Sequence, residues 1–292
     1  MTDWVGSTPH HKFFGNGPRR NPDRRTADLN RAKIDDHSGE CASVTSLVTR
    51  IIRDRSELAV FFNQRAVSYA ETHGDADRLL EYRVGLIRHC CEGRSGVLLE
   101  IGCGTAVHLA ELAPAFSQLI GVDIASEMVD AAARRVRNSP YRDRIELRVD
   151  PAEELLTIDA ASVDVVLCVG ALEHMLYPDQ ALRQISRVLK SGGVFVLMTP
   201  NGGYCWYTLL APLLGCSTRH LSTDRFLHRR EAVGLLQSAG LRLIGCGFWS
   251  FIPKGDMPRW TGVMLQVLDR VGRICRLSGC RGGLVLSATR GV

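Results

Sequence analysis

The sequence has 292 residues, 45% of them hydrophobic and 23% charged, the composition of an ordinary globular chain with ample core. The 36 basic and 31 acidic residues leave a formal charge of +5 with no dense basic run, which argues against a nucleic-acid partner. The N-terminus holds no apolar core of signal-peptide length and no stretch reaches the ~18 apolar residues of a membrane span, so a cytoplasmic chain without stable membrane insertion is expected.

Residues 1–42 are polar, with Pro9, Pro18 and Pro22 and no apolar period, and read as a disordered tail ahead of a domain over 43–292. Helical spacing begins near 43, with Leu47, Ile51, Leu58, Val60, Phe61 and Phe62 on or near one face. Gly74 interrupts it. "ADRLLEYRVGLIRHCC" is a second helix, closed by Gly96, and 43–95 together predict a helical lid. The pattern then alternates. "GVLLEIG", "QLIGVDIA", "RIELRVD", "SVDVVLCVGAL" and "VFVLMTP" read as strands. "AVHLAELAPAF", "SEMVDAAARRVRN" with Ser126 as N-cap, and "PDQALRQISRVLKSGG" with a glycine stop read as helices between them. Near-continuous apolar strands alternating with helices predict a parallel sheet covered on both faces, over 96–201. Residues 202–292 add the helix "REAVGLLQSAG", the strands "LRLIGCGFWSF" and "GGLVLSATR", and between them an amphipathic helix over 261–277. That helix carries Arg270, Arg273 and Arg276 beside an apolar stripe; core packing is its first reading and peripheral contact with a membrane surface its second.

Ten cysteines form neither CxxC pairs nor zinc spacings, so no metal site is expected. The adjacent Cys90 and Cys91 read as the end of a helix.

The first strand runs into Glu100-Ile-Gly-Cys-Gly-Thr-Ala, a glycine-rich turn that opens a helix. Open parallel sheets bind ligands beyond the carboxyl ends of their strands, and such a turn cradles the polar end of a nucleotide-like ligand. Asp123 ends the second strand 21 residues after Gly102, the spacing of an acid that accepts two ribose hydroxyls. Asp150 ends the third strand, where an acid accepts from an adenine amino group, and Val169-Gly170 end the fourth. A dinucleotide loop of G-x-G-x-x-G form is disfavoured by Val107 at its sixth position.

At these residues a resemblance enters. "VLLEIGCGTA", "IGVDIASEMVDAA", "DPAEELL", "SVDVVLCVGALEHM" and "ALRQISRVLKSGGVFVLMTPN" resemble the successive motifs of the class I S-adenosylmethionine-dependent methyltransferases. The resemblance is strong over 96–201 and weaker to the C-terminus, where "RGGLVLSATR" is similar to the family's antiparallel final strand. It implies an α/β, Rossmann-like, doubly wound and mostly parallel sheet of seven strands with an antiparallel last strand and a helical N-terminal lid. It also implies S-adenosylmethionine as cofactor and S-adenosylhomocysteine as product. Carried over by position, Glu100 shapes the loop and reaches the methionine end, and Gly102 and Gly104 admit the cofactor. Asp123 binds ribose, and Ile124 packs on adenine. Asp150 or the Ala152 amide meets the adenine edge, and Val169 and Gly170 lie under the methionine portion. Tyr69 and Arg83 stand where relatives place lid residues; otherwise they are a core ring and a solvated charge. Ala106 replaces a frequent third glycine.

Methyl transfer to oxygen benefits from a base, and His174 in "LEHM" follows the fourth strand with a suitable intrinsic pKa near ~6.5. The alternative is that Glu173 and His174 only organise the loop. His220, Lys254 and Asp256 are weaker candidates. The segments after strands five and six hold Tyr204, Trp206, Tyr207, Leu209, Leu210, Leu213, Leu214, Phe248, Trp249, Phe251 and Trp260, as core packing, as an acceptor wall, or both. The expected activity is O-methylation of a small-molecule acceptor that is apolar, aromatic or sugar-containing. C- or N-methylation is the alternative, with a noncatalytic cofactor-binding subunit behind it. The sequence leaves the oligomeric state open.

Overall fold

The computed structural model describes residues 49–66, 76–91, 93–213, 221–249 and 259–291. The expectations for residues 1–42, Leu47, Tyr69, Gly74, Leu214, His220, Phe251, Lys254, Asp256 and the Trp260 side chain lie outside these residues.

Helices α1 (Arg55–Arg65) and α2 (Ala76–Cys90) precede the sheet. It is built from β1 (Val97–Ile101), β2 (Gln118–Asp123), β3 (Ile145–Val149), β4 (Val163–Val169), β5 (Leu189–Pro200), β6 (Leu241–Trp249) and β7 (Gly283–Arg290). Helices α3 (Val107–Leu112), α4 (Ser126–Val136) and α5 (Pro178–Val188) connect its first half. A π-helical turn (Trp206–Leu210), α6 (Ala211–Leu213), α7 (Arg229–Ser238) and α8 (Arg259–Ile274) belong to the second. The strand order is β3-β2-β1-β4-β5-β7-β6. The first five strands pair in parallel, and β7 runs antiparallel to both of its neighbours.

Period-two alternation of apolar side chains buries both faces of the sheet. From β1, Leu99 and Ile101 join one core with Leu182, Ile185, Phe195 and Leu236, under α5 and α7. Leu98 points the other way and joins Ile87, Leu109, Leu119 and Val136, under α2, α3 and α4. The order reverses between β1 and β4, and that switch point is where the two glycine turns meet.

Four local expectations are corrected. The helical spacing does not run unbroken into α1: residues 49–54 are not helical, Ile51 is 65% exposed, Arg50 forms a parallel bridge with Leu221, and α1 starts at Arg55. Asp54 caps α1 by accepting from the Glu57 amide, while Glu57 accepts from the Arg53 amide. Ser126 is the first residue of α4 rather than its cap; the Glu127 amide donates to Asn63 Oδ1 of α1 instead. The predicted glycine-stopped helix ends at Val188, because Leu189 already pairs with Val163. The left-handed turn that follows α2 is at Gly93, whereas Gly96 stands where a Cβ would meet the Asp164 carboxylate at 2.1 Å. Cys90 and Cys91 are free thiols at the end of α2, as expected. No helix among the described residues is long and apolar enough to cross a membrane.

Candidate functional site

The carboxyl ends of β1, β2 and β4 converge at the switch point. Gly102 and Gly104 both take left-handed backbone conformations, with φ of 64° and 51°. Gly102 also has no room for a side chain: a Cβ there would lie 2.4 Å from Ala171 Cβ in the turn after β4. Ala106 adopts φ of 57° and is fully buried, so an alanine sits in a conformation that glycine enters freely. Gly170 is left-handed too, with φ of 67°, and its amide donates to Met198 O.

Asp123 clamps the turn. Its Oδ2 accepts from the Gly104 amide and its Oδ1 from the Ala125 amide, both at 2.9 Å. Burial raises its pKa, and the two amides oppose that shift. Asp150 spends its carboxylate on its own loop, accepting from the Leu156 and Thr157 amides and from the Thr157 hydroxyl. Ala152 is buried within that loop. Ile124 packs with Phe62, Ala66 and Met128, and Val169 belongs to the core beneath α2 and α3.

Glu100 is 1% exposed. Its Oε1 lies 2.7 Å from His108 Nδ1, on the first turn of α3. A carboxylate only accepts, so Nδ1 donates. Glu100 Oε2 and His108 Nε2 are buried with no hydrogen-bond partner.

His174 ends a 3₁₀ turn (Leu172–His174) directly after β4. Its Nδ1 lies 2.7 Å from Asp224 Oδ1, and Asp224 Oδ2 accepts from the Leu221 amide. Asp224 is buried, whereas the imidazole keeps a quarter of its surface open. Burial pushes the imidazole pKa down; the Asp224 hydrogen bond and the charges of Glu173 and Asp224 outweigh it, and the net shift is upward. Phe62 meets the ring edge-on, with centroids 5.5 Å apart. Glu173 is buried, accepts from the Thr199 hydroxyl at 3.1 Å, and has its pKa raised by burial. Its carbonyl accepts from the Arg225 amide, a second tie between the β4 exit and the segment that carries Asp224.

The aromatic residues divide between core and site. Tyr204 is wholly buried, Phe248 packs on the core, and Trp249 lies flat over Gly283, where a Cβ would come within 0.9 Å of the indole nitrogen. Tyr207 stacks on Phe226 at 4.5 Å; burial and the nearby Glu173 charge push its hydroxyl up to about 12. Leu209 and Leu213 are exposed. Arg83 is not a solvated charge: its guanidinium lies over the Trp249 ring at 4.9 Å.

Comparison with known proteins agrees with this geometry. A methyltransferase-domain family model matches residues 99–197, the stretch from within β1 to within β5. A ubiquinone biosynthesis O-methyltransferase of Xanthomonas axonopodis pv. citri (strain 306) is 30% identical over 153 residues, covering 50% of this chain and 62% of that protein. The chain thus spans less than two thirds of that relative's length. The likeness to a methyltransferase domain is thus carried by residues 99–197, about a third of the chain. Two solved structures share the fold. The [4+2]-cyclase SpnF has a TM-score of 0.60 at 19% identity, covering 84% of this chain and 100% of that one. A geranyl diphosphate C-methyltransferase from Streptomyces coelicolor A3(2), solved with Mg²⁺, geranyl diphosphate and S-adenosylhomocysteine, has a TM-score of 0.54 at 18% identity, covering 73% and 81%.

The residues present fit the cofactor of the class I methyltransferases. The glycine turn leaves backbone without side chains at the switch point. The orphaned Glu100 Oε2 is an acceptor suited to an ammonium, and Asp123 retains lone pairs for a diol. Two residues of this site escaped the sequence reading. His108 occupies an apolar-spaced helix and carries no local polar signal. Asp224 is 50 residues from His174, and only the fold brings them together.

Proposed function

We propose that the protein transfers the methyl group of S-adenosylmethionine to a hydroxyl oxygen of a small apolar, aromatic or sugar-containing acceptor, with His174 as base. The observation that carries this reading is the 2.7 Å His174–Asp224 hydrogen bond at the β4 exit. The bound cofactor supplies an electrophilic methyl on a positively charged sulfur. Gly102 and Gly104 admit it along the backbone, and Glu100 takes the methionine end. Asp123 accepts from the ribose hydroxyls. Ile124 and the Ala152 amide hold the adenine, with Asp150 shaping the loop around them. Val169 and Gly170 form the floor, and Arg83 borders the lid side.

Asp224 accepts a hydrogen bond from Nδ1–H, which keeps the proton on Nδ1 and leaves the Nε2 lone pair of His174 to take the acceptor's hydroxyl proton. The acceptor oxygen gains the methyl carbon as the sulfur–carbon bond breaks, and S-adenosylhomocysteine is the expected product. Asp224 stabilises the imidazolium that forms. Phe62, Tyr207 and Phe226 give the acceptor side an aromatic wall that excludes water. The name of the Xanthomonas relative supports oxygen as nucleophile. The named activity of the Streptomyces structure supports carbon as runner-up.

A second reading rests on the likeness to a [4+2]-cyclase, which carries this fold under a different chemistry. The experiment that separates them follows labelled methyl into a panel of phenols, enols and amines, with wild type, His174→Ala and Asp224→Asn. Labelled ethers, lost in His174→Ala while S-adenosylhomocysteine still binds, support the proposal. Full turnover by His174→Ala would remove the base. A product rearranged without gain of a methyl would favour the second reading.

A further inference from the structure

Helix α8 (Arg259–Ile274) is a surface helix with its own inner face already occupied. Leu265 is fully buried, Asp269 pairs with Arg281 at 2.9 Å, and a Cβ on Gly272 would come 2.6 Å from the Cys280 side chain. Its outer face is apolar. Val263, Val267 and Ile274 are 59%, 56% and 71% exposed, and Val271 and Leu277 continue the stripe. A helix whose inner face is already seated on the chain, here against the Ser278–Arg281 turn, has no folding reason to carry a second, apolar face.

The charge on this region is one-sided. Between Met257 and Val292 there are six arginines and a single acid, Asp269. That acid is buried and spent on Arg281. The outer face therefore presents valine and isoleucine beside Arg270, Arg273 and Arg276, with no exposed carboxylate on the helix.

We propose that α8 is a docking surface for an anionic lipid bilayer, lying in the plane of the headgroups with its valine stripe inserted. Apolar insertion flanked by cations is what such an interface rewards, and it needs no shaped groove. Two other occupants fit less well. A symmetric contact with a second copy sets this face against itself, bringing arginines together with no carboxylate between them. Residues 1–48 hold seven basic and six acidic residues, so this segment offers no complementary charge. The inference is independent of the acceptor and of the reaction.

The test is co-sedimentation of the full chain with phosphatidylglycerol–phosphatidylcholine vesicles and with pure phosphatidylcholine vesicles, at low and high salt. Binding to the anionic vesicles, weakened by salt, is expected. Each of Arg270→Glu and Arg273→Glu should lower partitioning about fivefold or more, and Val267→Glu should do so at any salt. Melting temperature and S-adenosylhomocysteine affinity of these variants should stay unchanged, which separates lost docking from lost folding. Equal binding to both vesicle types, or full binding by Val267→Glu, would overturn the proposal. So would a dimer in solution that Val267→Glu dissociates while vesicles are ignored.

Discussion

His108 Nδ1 donates to Glu100 Oε1 across 2.7 Å, with both side chains sealed from solvent. The bond fixes the rotation of the Glu100 carboxylate and leaves its Oε2 as the acceptor in reserve. His108→Leu should therefore weaken S-adenosylhomocysteine binding about tenfold, the scale of a hydrogen bond to a charged group. Methylthioadenosine, which lacks the amino-acid portion, should bind as before. His108→Asn keeps a donor near the Nδ1 position and should recover most of the loss. Calorimetry with the two ligands checks this; an equal loss for both would reduce His108 to a packing role.

The His174–Asp224 pair predicts a pH dependence with a definite sign. A base must be neutral, and this imidazole holds its proton above its ordinary range. The rate should rise with pH through a midpoint above ~6.5. Asp224→Asn removes the main upward influence, so the midpoint should move toward acid while the maximal rate falls about 10²–10⁴-fold. A midpoint that stays in place would detach the limb from His174.

The same shift acts on stability. A histidine whose folded pKa is raised stabilises the protonated folded state. That contribution is complete below ~6.5 and is lost as pH climbs through the folded value. The melting-temperature advantage of wild type over His174→Ala should thus shrink on going from about pH 5.5 to 8.5. Thermal scans at several pH values would show it, and a growing advantage would contradict the assigned sign.

Two left-handed positions should respond unequally. Gly102→Ala adds backbone strain of ~1–2 kcal/mol and an overpacked contact with Ala171 of ~1–3 kcal/mol. At a few degrees per kcal/mol, the melting temperature should drop by about 5 °C or more, with cofactor binding impaired. Gly102→Ala combined with Ala171→Gly should return the contact energy but not the strain. Ala106→Gly relieves ~1–2 kcal/mol of strain, yet gives up a buried methyl and loosens the unfolded chain, each worth just under ~1 kcal/mol. Its stability should lie within ~1 kcal/mol of wild type. Denaturant melts of the four proteins decide.

The residues proposed for the cofactor could be placed from the sequence because their positions are local. Gly102, Gly104 and Asp123 sit at strand exits that hydrophobic period and glycine spacing locate, and the alternation of strands and helices foretold the sheet. The acceptor half was not. His174 could be placed after β4, but its partner Asp224 comes from a segment without a periodic signal. The start of α1 was misplaced although "DRSE" carries its capping pair, because the apolar spacing upstream continued past it. Ser126 lost its capping role because Asn63 of another helix supplies the oxygen. Leu189 follows β4 rather than its own helix, since pairing with Val163 overrides local propensity.

The position of β7 has a consequence for how the chain assembles. It is the seventh strand in order of synthesis, yet it lies inside the sheet, hydrogen-bonded to β5 on one side and β6 on the other. Until it forms, β5 and β6 each expose an unpaired edge, and β6 has no neighbour in the sheet at all. The glycine turn and Asp123 belong to strands that can pair much earlier. A nascent chain can therefore own a nearly complete form of the proposed cofactor cradle while its other half remains open to pairing with strangers.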